Sequence, residues 1–90
     1  MLFDLPDVDW RRLRWTPAAQ LRKIGEEYGE VCEAVAKDDP VNIVRETLDM
    51  IQTGNTLICM VLAEYNLSMD KLLHEHREKL IAKGYIRRVD

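Results

Sequence analysis

Apolar side chains recur at helical spacing along most of the chain. Leu21, Ile24, Tyr28, Val31 and Val35 repeat at i, i+3 and i+7 and predict an amphipathic helix over residues 16–37. Thr16 is its N-cap and Pro17 its first helical residue. Lys37-Asp38-Asp39-Pro40 reads as a tight connection in which Asp39 caps, and Pro40 opens, a second helix over residues 40–65. A link this short makes the two helices antiparallel neighbours. From Leu48 onward the second helix is apolar on nearly every side, with Leu48, Met50, Ile51, Leu57, Ile58, Met60, Val61 and Leu62. Such a helix must be covered all round, which one partner helix cannot do, so a second subunit is expected against it. Gly54 in its interior suggests a close helix approach or room for a ligand. Ser68 caps a third helix over 69–83 with Met69, Leu72, Leu73, His76 and Leu80 on its apolar side, and Gly84 ends it. Residues 84–90 form a basic tail. Residues 1–15 keep no period, and Pro6 with three aspartates predicts an extended arm or short turn. The expected fold is all-α: one domain over residues 1–90, an antiparallel bundle of three main helices completed by oligomerisation.

Acidic residues punctuate the first two helices in matching places. Ile24-x-x-Glu27-x-x-Glu30 and Ile43-x-x-Glu46-x-x-Asp49 share one spacing. At ~100° per residue, Glu27 lies roughly 60° to one side of Ile24 and Glu30 roughly 120°, and Glu46 and Asp49 stand in the same relation to Ile43. If the isoleucines mark the packing faces, both pairs lie on a flank of the seam and four carboxylates converge. Two like charges ~4 Å apart at an effective dielectric of ~20 repel by roughly 4 kcal/mol, against a domain stability of about 5 to 15 kcal/mol. Either some carboxylates are protonated with raised pKa values or a cation sits between them. Oxygen ligands without Cys or His suit a hard ion such as Mg²⁺, which keeps waters and binds substrate phosphates. The bland reading is a pair of solvated Glu-rich faces. Against it, both pairs are in phase with their apolar stripes, basic residues are scarce at the i+4 positions that would neutralise them, and the small residues Gly29 and Ala34 lie beside the first pair.

Composition narrows the classes. A chain of 90 residues buries only about 60 to 65% of its unfolded surface, so a monomer would be marginal. A net charge of −3 argues against a general nucleic-acid binder. The longest apolar run, Leu57 to Ala63, is far short of the ~20 residues of a membrane span, and the acids and Pro6 near the amino terminus do not read as a signal peptide. Cys32 and Cys59 show no C-x-x-C or zinc spacing and read as reduced core thiols in a cytoplasmic protein.

The motif Glu27-x-x-Glu30, fifteen intervening residues, then Glu46-x-x-Asp49 resembles the ExxE…ExxD signature of the MazG-like all-α nucleoside triphosphate pyrophosphohydrolases. GEEYGEVCEAV resembles that family's G-E-x-G-E-L-x-E-A helix, and HEHREKLIAKGY the H-N-x-K-L-x-x-R-G-Y ending of its small phage and bacterial members; the likeness spans about residues 15 to 85. It implies hydrolysis between the α and β phosphates of a ribo- or deoxynucleoside triphosphate, giving the monophosphate and pyrophosphate. It further implies Mg²⁺, with Mn²⁺ as a substitute, held by Glu27, Glu30, Glu46 and Asp49, with Glu30 or Glu27 accepting the proton of the attacking water. There is no P-loop, so the metal carries the phosphate binding.

The resemblance also assigns substrate contacts. The tail match and the need for cations beyond the metal favour Lys79, then Lys83, as phosphate ligands. Tyr85 packs or stacks on the nucleoside. Helical position, and not the resemblance, offers Thr53, one turn beyond Asp49, as a residue that could face the site, and sets Gln52 and Asn55 to hydrogen-bond across an interface. The aromatics Phe3, Trp10 and Trp15 read first as lying over a neighbouring helix or subunit; the sharper reading is that one tryptophan stacks on the base, and Trp15, just before the helix of Glu27 and Glu30, is the candidate. His74 and His76 lack the H-E-x-x-H spacing of a zinc site. The expected partners are a nucleoside triphosphate and further copies of the chain, as a dimer or tetramer, with no nucleic acid and no membrane. A non-catalytic helical adaptor or regulatory module is the alternative; it predicts no Mg²⁺ dependence.

Overall fold

A computed structural model describes residues 4–88, so Phe3 and the last two residues of the tail lie outside the described part. Three helices follow in order: α1 Pro17–Ala36, α2 Pro40–Tyr65 and α3 Met69–Ala82. Each begins at a side-chain cap that satisfies a free backbone N–H. Thr16 Oγ1 accepts from the Ala19 amide at 3.1 Å, Asp39 Oδ1 from Asn42 at 3.2 Å and Ser68 Oγ from Lys71 at 3.3 Å. Each helix is followed by a residue in the left-handed region, Asp38 (φ 52°), Asn66 (φ 51°) and Gly84 (φ 76°). After α3 the closure is complete, with Gly84 N–H donating to the Ile81 carbonyl at 2.9 Å and Tyr85 N–H to Leu80 at 3.0 Å.

The short α1–α2 link folds these helices into an antiparallel pair, which holds the main tertiary contact; α3 has no comparable contact with either. The radius of gyration is 15.5 Å, against roughly 12 Å for a compact domain of this length. Ala34 and Met60 are the only fully buried apolar side chains among the described residues.

The phase of α1 differs from the sequence expectation by one residue. Its buried positions are Gln20, Glu27 and Ala34, seven apart, and they face Thr53, Thr56 and Met60 of α2. Leu21, Tyr28 and Val35 are 63, 62 and 56% exposed, and Ile24 and Val31 are half-buried at the border. Small and polar groups line the seam because most of them find partners within it. The hydroxyls of Thr53 and Thr56 donate to the carbonyls of Asp49 and Gln52, four residues back, at 2.8 and 3.0 Å, and the Gln20 amide donates to the Thr53 carbonyl at 3.3 Å.

Other expectations are corrected. Cys32 lies exposed on the outward face of α1 and Cys59 is half-buried, so neither is a core thiol. A Cβ at Gly54 would meet nothing within 4 Å, so among the described residues no element approaches closely there, and of the two expectations for this glycine the open space agrees with room for a ligand. His76 is exposed; with Ile58, Leu62, Met69, Leu72 and Leu73 it lines an open apolar groove between α2 and α3. Gln52 bonds inside the chain, its amide donating to the Pro6 carbonyl at 2.7 Å, which lays the amino-terminal arm across α2. The arm turns at residues 10–14, where the Trp15 N–H donates to the Trp10 carbonyl at 3.0 Å. No described helix is long and apolar enough to cross a membrane.

Candidate active site between the first two helices

The seam that buries Glu27 also decides the geometry of the acids. Antiparallel packing sets Glu27 of α1 opposite Glu46 and Asp49 of α2, and one carboxylate oxygen from each lies within 4.8 Å of the others. Glu27 is 8% exposed, Glu46 half-buried and Asp49 exposed. Glu30, one turn after Glu27 and exposed, stands beside Glu46. Glu27 therefore sits inside the contact, whereas the helical angles placed it on a flank.

Two oxygens in this group are anomalous. Glu27 Oε2 and Glu46 Oε2 are buried and have no hydrogen-bond partner among the described residues, although buried polar atoms nearly always have one. Burial, then the charge of Glu30, raises the Glu27 pKa above its usual value, and nearby Lys23 pulls it back. Glu30 is also raised, first by a hydrogen bond shared with Glu46 and then by the Glu46 charge. A divalent cation would give both orphaned oxygens a partner and relieve the repulsion, and an oxygen-only donor set is what Mg²⁺ takes. The residues fit a hard metal ion.

A cavity of about 270 Å³ opens beside the acids, lined by Lys23, Glu27, Asp49, Gln52 and Thr53. Thr53 thus lies where its sequence position suggested, though its hydroxyl is engaged by the Asp49 carbonyl. Trp15 lines a different cavity of about 360 Å³, with Trp10, Arg11, Thr16, Pro17, Met60, Ala63 and Glu64; the two cavities share no residue. Among the described residues no ion pair joins Lys79 or Lys83 to the four carboxylates. Lys83 lies over the Tyr85 ring, 5.9 Å from its centre, and Tyr85 is 72% exposed. Arg88 is bound back onto α3 by Glu78.

Sequence reasoning missed Lys23. Its Nζ lies 3.6 Å from Glu27 Oε1. The signal is in the spacing, since Lys23 precedes Glu27 by four residues and a helix pairs side chains four apart in either direction.

Neither the curated proteins nor the solved structures return a match. A family model does match, over a span from the arm to the last turn of α3 that includes all four carboxylates and Lys79 and stops short of Lys83 and Tyr85. With residues 12–80 matched by the model described as phosphoribosyl-ATP pyrophosphohydrolase, this chain belongs to that family, whose domain has the MazG-like all-α fold of nucleotide pyrophosphohydrolases.

Proposed function

We propose that this protein is a Mg²⁺-dependent pyrophosphohydrolase that cleaves a ribo- or deoxynucleoside triphosphate between its α and β phosphates, working in the cytoplasm as a dimer or tetramer. One observation carries the reading: two buried carboxylate oxygens, Oε2 of Glu27 and of Glu46, lack partners in a cluster where a third carboxylate is within 4.8 Å. Glu27, Glu46 and Asp49 would hold the ion, with Glu30 beside them, and Mn²⁺ would substitute. When bound, the ion supplies positive charge for the phosphate oxygens and acidity for a water.

The chain's own groups divide the remaining work. Glu30 lies outside the tightest cluster and is exposed, and its raised pKa suits a base that takes the proton of the attacking water. The water oxygen bonds to the α phosphorus, the bond from that phosphorus to the bridging oxygen breaks, and pyrophosphate leaves with the electron pair. Trp15 stacks on the base, and its separate cavity supports a nucleoside held away from the phosphates. Thr53 borders the phosphates. Lys79, Lys83 and Tyr85 act from a neighbouring copy. That arrangement is supported by a single chain that leaves Ile58, Leu72 and Leu73 46, 41 and 51% exposed.

The family description names an adenosine triphosphate carrying a phosphoribosyl group, so the test is a panel. Pyrophosphate release is followed from ribo- and deoxynucleoside triphosphates and from phosphoribosyl-ATP, with Mg²⁺ and with a chelator. Release that requires Mg²⁺ is expected; no release across the panel sinks the reading in favour of a binding module.

A further inference from the structure

We propose that Lys23 is the cation with which this chain grips the polyphosphate of its substrate. The inference rests on the reading of the carboxylates as a metal-assisted pyrophosphohydrolase site and deepens it. Among the described residues, Lys23 is the one basic side chain within ion-pair distance of any of the four acids. It also lines the cavity that Glu27 and Asp49 open into.

The two oxygens of Glu27 have different surroundings. Oε1 faces Lys23 at 3.6 Å, longer than the 2.7–3.2 Å of a good hydrogen bond, while Oε2 is buried and unpartnered. Glu27 can therefore give one oxygen to a metal ion and keep the other toward the lysine. The Lys23 side chain is 49% exposed, so its ammonium, on a flexible four-carbon stem, is free to turn from Glu27 to a phosphate oxygen in the same cavity.

The other polar groups of that wall are already engaged. The Thr53 hydroxyl donates to the Asp49 carbonyl and the Gln52 amide to Pro6. A polyphosphate entering beside the acids meets the carboxylates' repulsion, and it carries more negative charge than one divalent ion neutralises. Lys23 is the group placed to offset the remainder. The cavity, about 270 Å³ and open to solvent, leaves room for a phosphate chain beside the acids and Lys23.

The test uses the full chain and the variants Lys23→Ala, Lys23→Gln and Lys23→Arg. Affinity for inorganic tripolyphosphate is measured by calorimetry with Mg²⁺ present, affinity for Mn²⁺ alone by its electron paramagnetic resonance signal, and KM and kcat by pyrophosphate release. Lys23→Ala and Lys23→Gln are expected to weaken tripolyphosphate binding roughly 10- to 100-fold and to raise KM in step. Mn²⁺ alone should bind as well as before or better, because Glu27 has lost a competing cation, and Lys23→Arg should recover part of the loss. Unchanged tripolyphosphate affinity in Lys23→Ala overturns the inference. So does a parallel loss of Mn²⁺ affinity, which would make Lys23 a support for Glu27 and nothing more. A wild-type chain that binds neither probe overturns the pyrophosphohydrolase reading and this inference with it, whereas a wild type that binds both and a Lys23→Ala variant that matches it overturns the inference alone.

Discussion

Replacing Glu27 with Gln should stabilise the metal-free protein and destabilise it relative to wild type once Mg²⁺ is added. The side chain is 8% exposed, and its carboxylate lies within 4.8 Å of those of Glu46 and Asp49. At that separation each ionised pair repels by about 3.5 kcal/mol at an effective dielectric of ~20 and about 1 kcal/mol at that of bulk water. Asp49 is exposed and sits toward the weaker limit, while Lys23, half exposed, returns at most about 1 kcal/mol. The neutral amide should therefore gain about 1 to 2 kcal/mol in the presence of a chelator. A gain of 1 kcal/mol corresponds to roughly 4–8 °C in melting temperature for a domain of this size. Wild type saturated to 100 times its dissociation constant gains about 2.7 kcal/mol from the ion, and Glu27→Gln should gain almost none, so the order of the two proteins reverses. Thermal unfolding followed by circular dichroism, at one protein concentration, with chelator and with Mg²⁺, reads both effects. A variant less stable than wild type in chelator, or one that responds to Mg²⁺ as wild type does, would refute the reasoning.

Glu46→Gln should lower kcat by roughly 100-fold or more in the pyrophosphate-release assay while the fold persists by circular dichroism. Glu27 and Glu30 both have folded pKa values raised above 4.5, Glu27 chiefly by burial and Glu30 chiefly by its hydrogen bond to Glu46. Their stabilising contribution is thus full below 4.5 and is lost as pH rises through the raised values, so the melting temperature in chelator should fall over that rise, less steeply in Glu27→Gln. Gly84→Ala puts a Cβ on a residue at φ 76° and should cost about 1–2 kcal/mol in urea unfolding, because the space around it is open and only the backbone objects. If copies of the chain cover the apolar faces, a 100-fold dilution should lower the melting temperature; a value independent of concentration would count against the assembly.

The helices were legible because their punctuation is local. Thr16, Asp39 and Ser68 each bond the amide three residues on, and Gly84 adopts the positive φ expected of a helix stop, so the chemistry that ends each element is visible in a few neighbouring letters. The clustering of the acids was legible for a similar reason, since equal spacing on two antiparallel helices needs only the short turn between them. The packing phase was not legible. Hydrophobicity pointed to Leu21, Tyr28 and Val35, but the positions that enter the seam are Gln20, Glu27 and Ala34, and a helical stripe one residue away satisfies the same periodicity. The arm's tether was hidden as well, because Gln52 and Pro6 are 46 residues apart and only the fold brings them together.

The packing phase of α1 and the convergence of the acids share a physical origin. The α1–α2 contact, which in a self-sufficient hairpin would bury mainly hydrocarbon, buries Gln20, Glu27, Thr53 and Thr56 beside Ala34 and Met60. Thr53, Thr56 and Gln20 close their hydrogen bonds within the seam. Glu27 and Glu46 do not, and each leaves one oxygen without a partner. An unpaired buried polar group costs about 1–3 kcal/mol, more when charged, and a fold with two fully buried apolar side chains among its described residues has little with which to offset it. An arrangement so unfavourable for the isolated fold is reasonable if the missing partner is a ligand, since a cation that completes both carboxylates binds the folded state and not the unfolded one. In that case the polar phase of α1 and the convergence of the acids are one feature: the seam is set to present charge, and its apolar neighbours Leu21, Tyr28 and Val35 are left facing outward as a consequence.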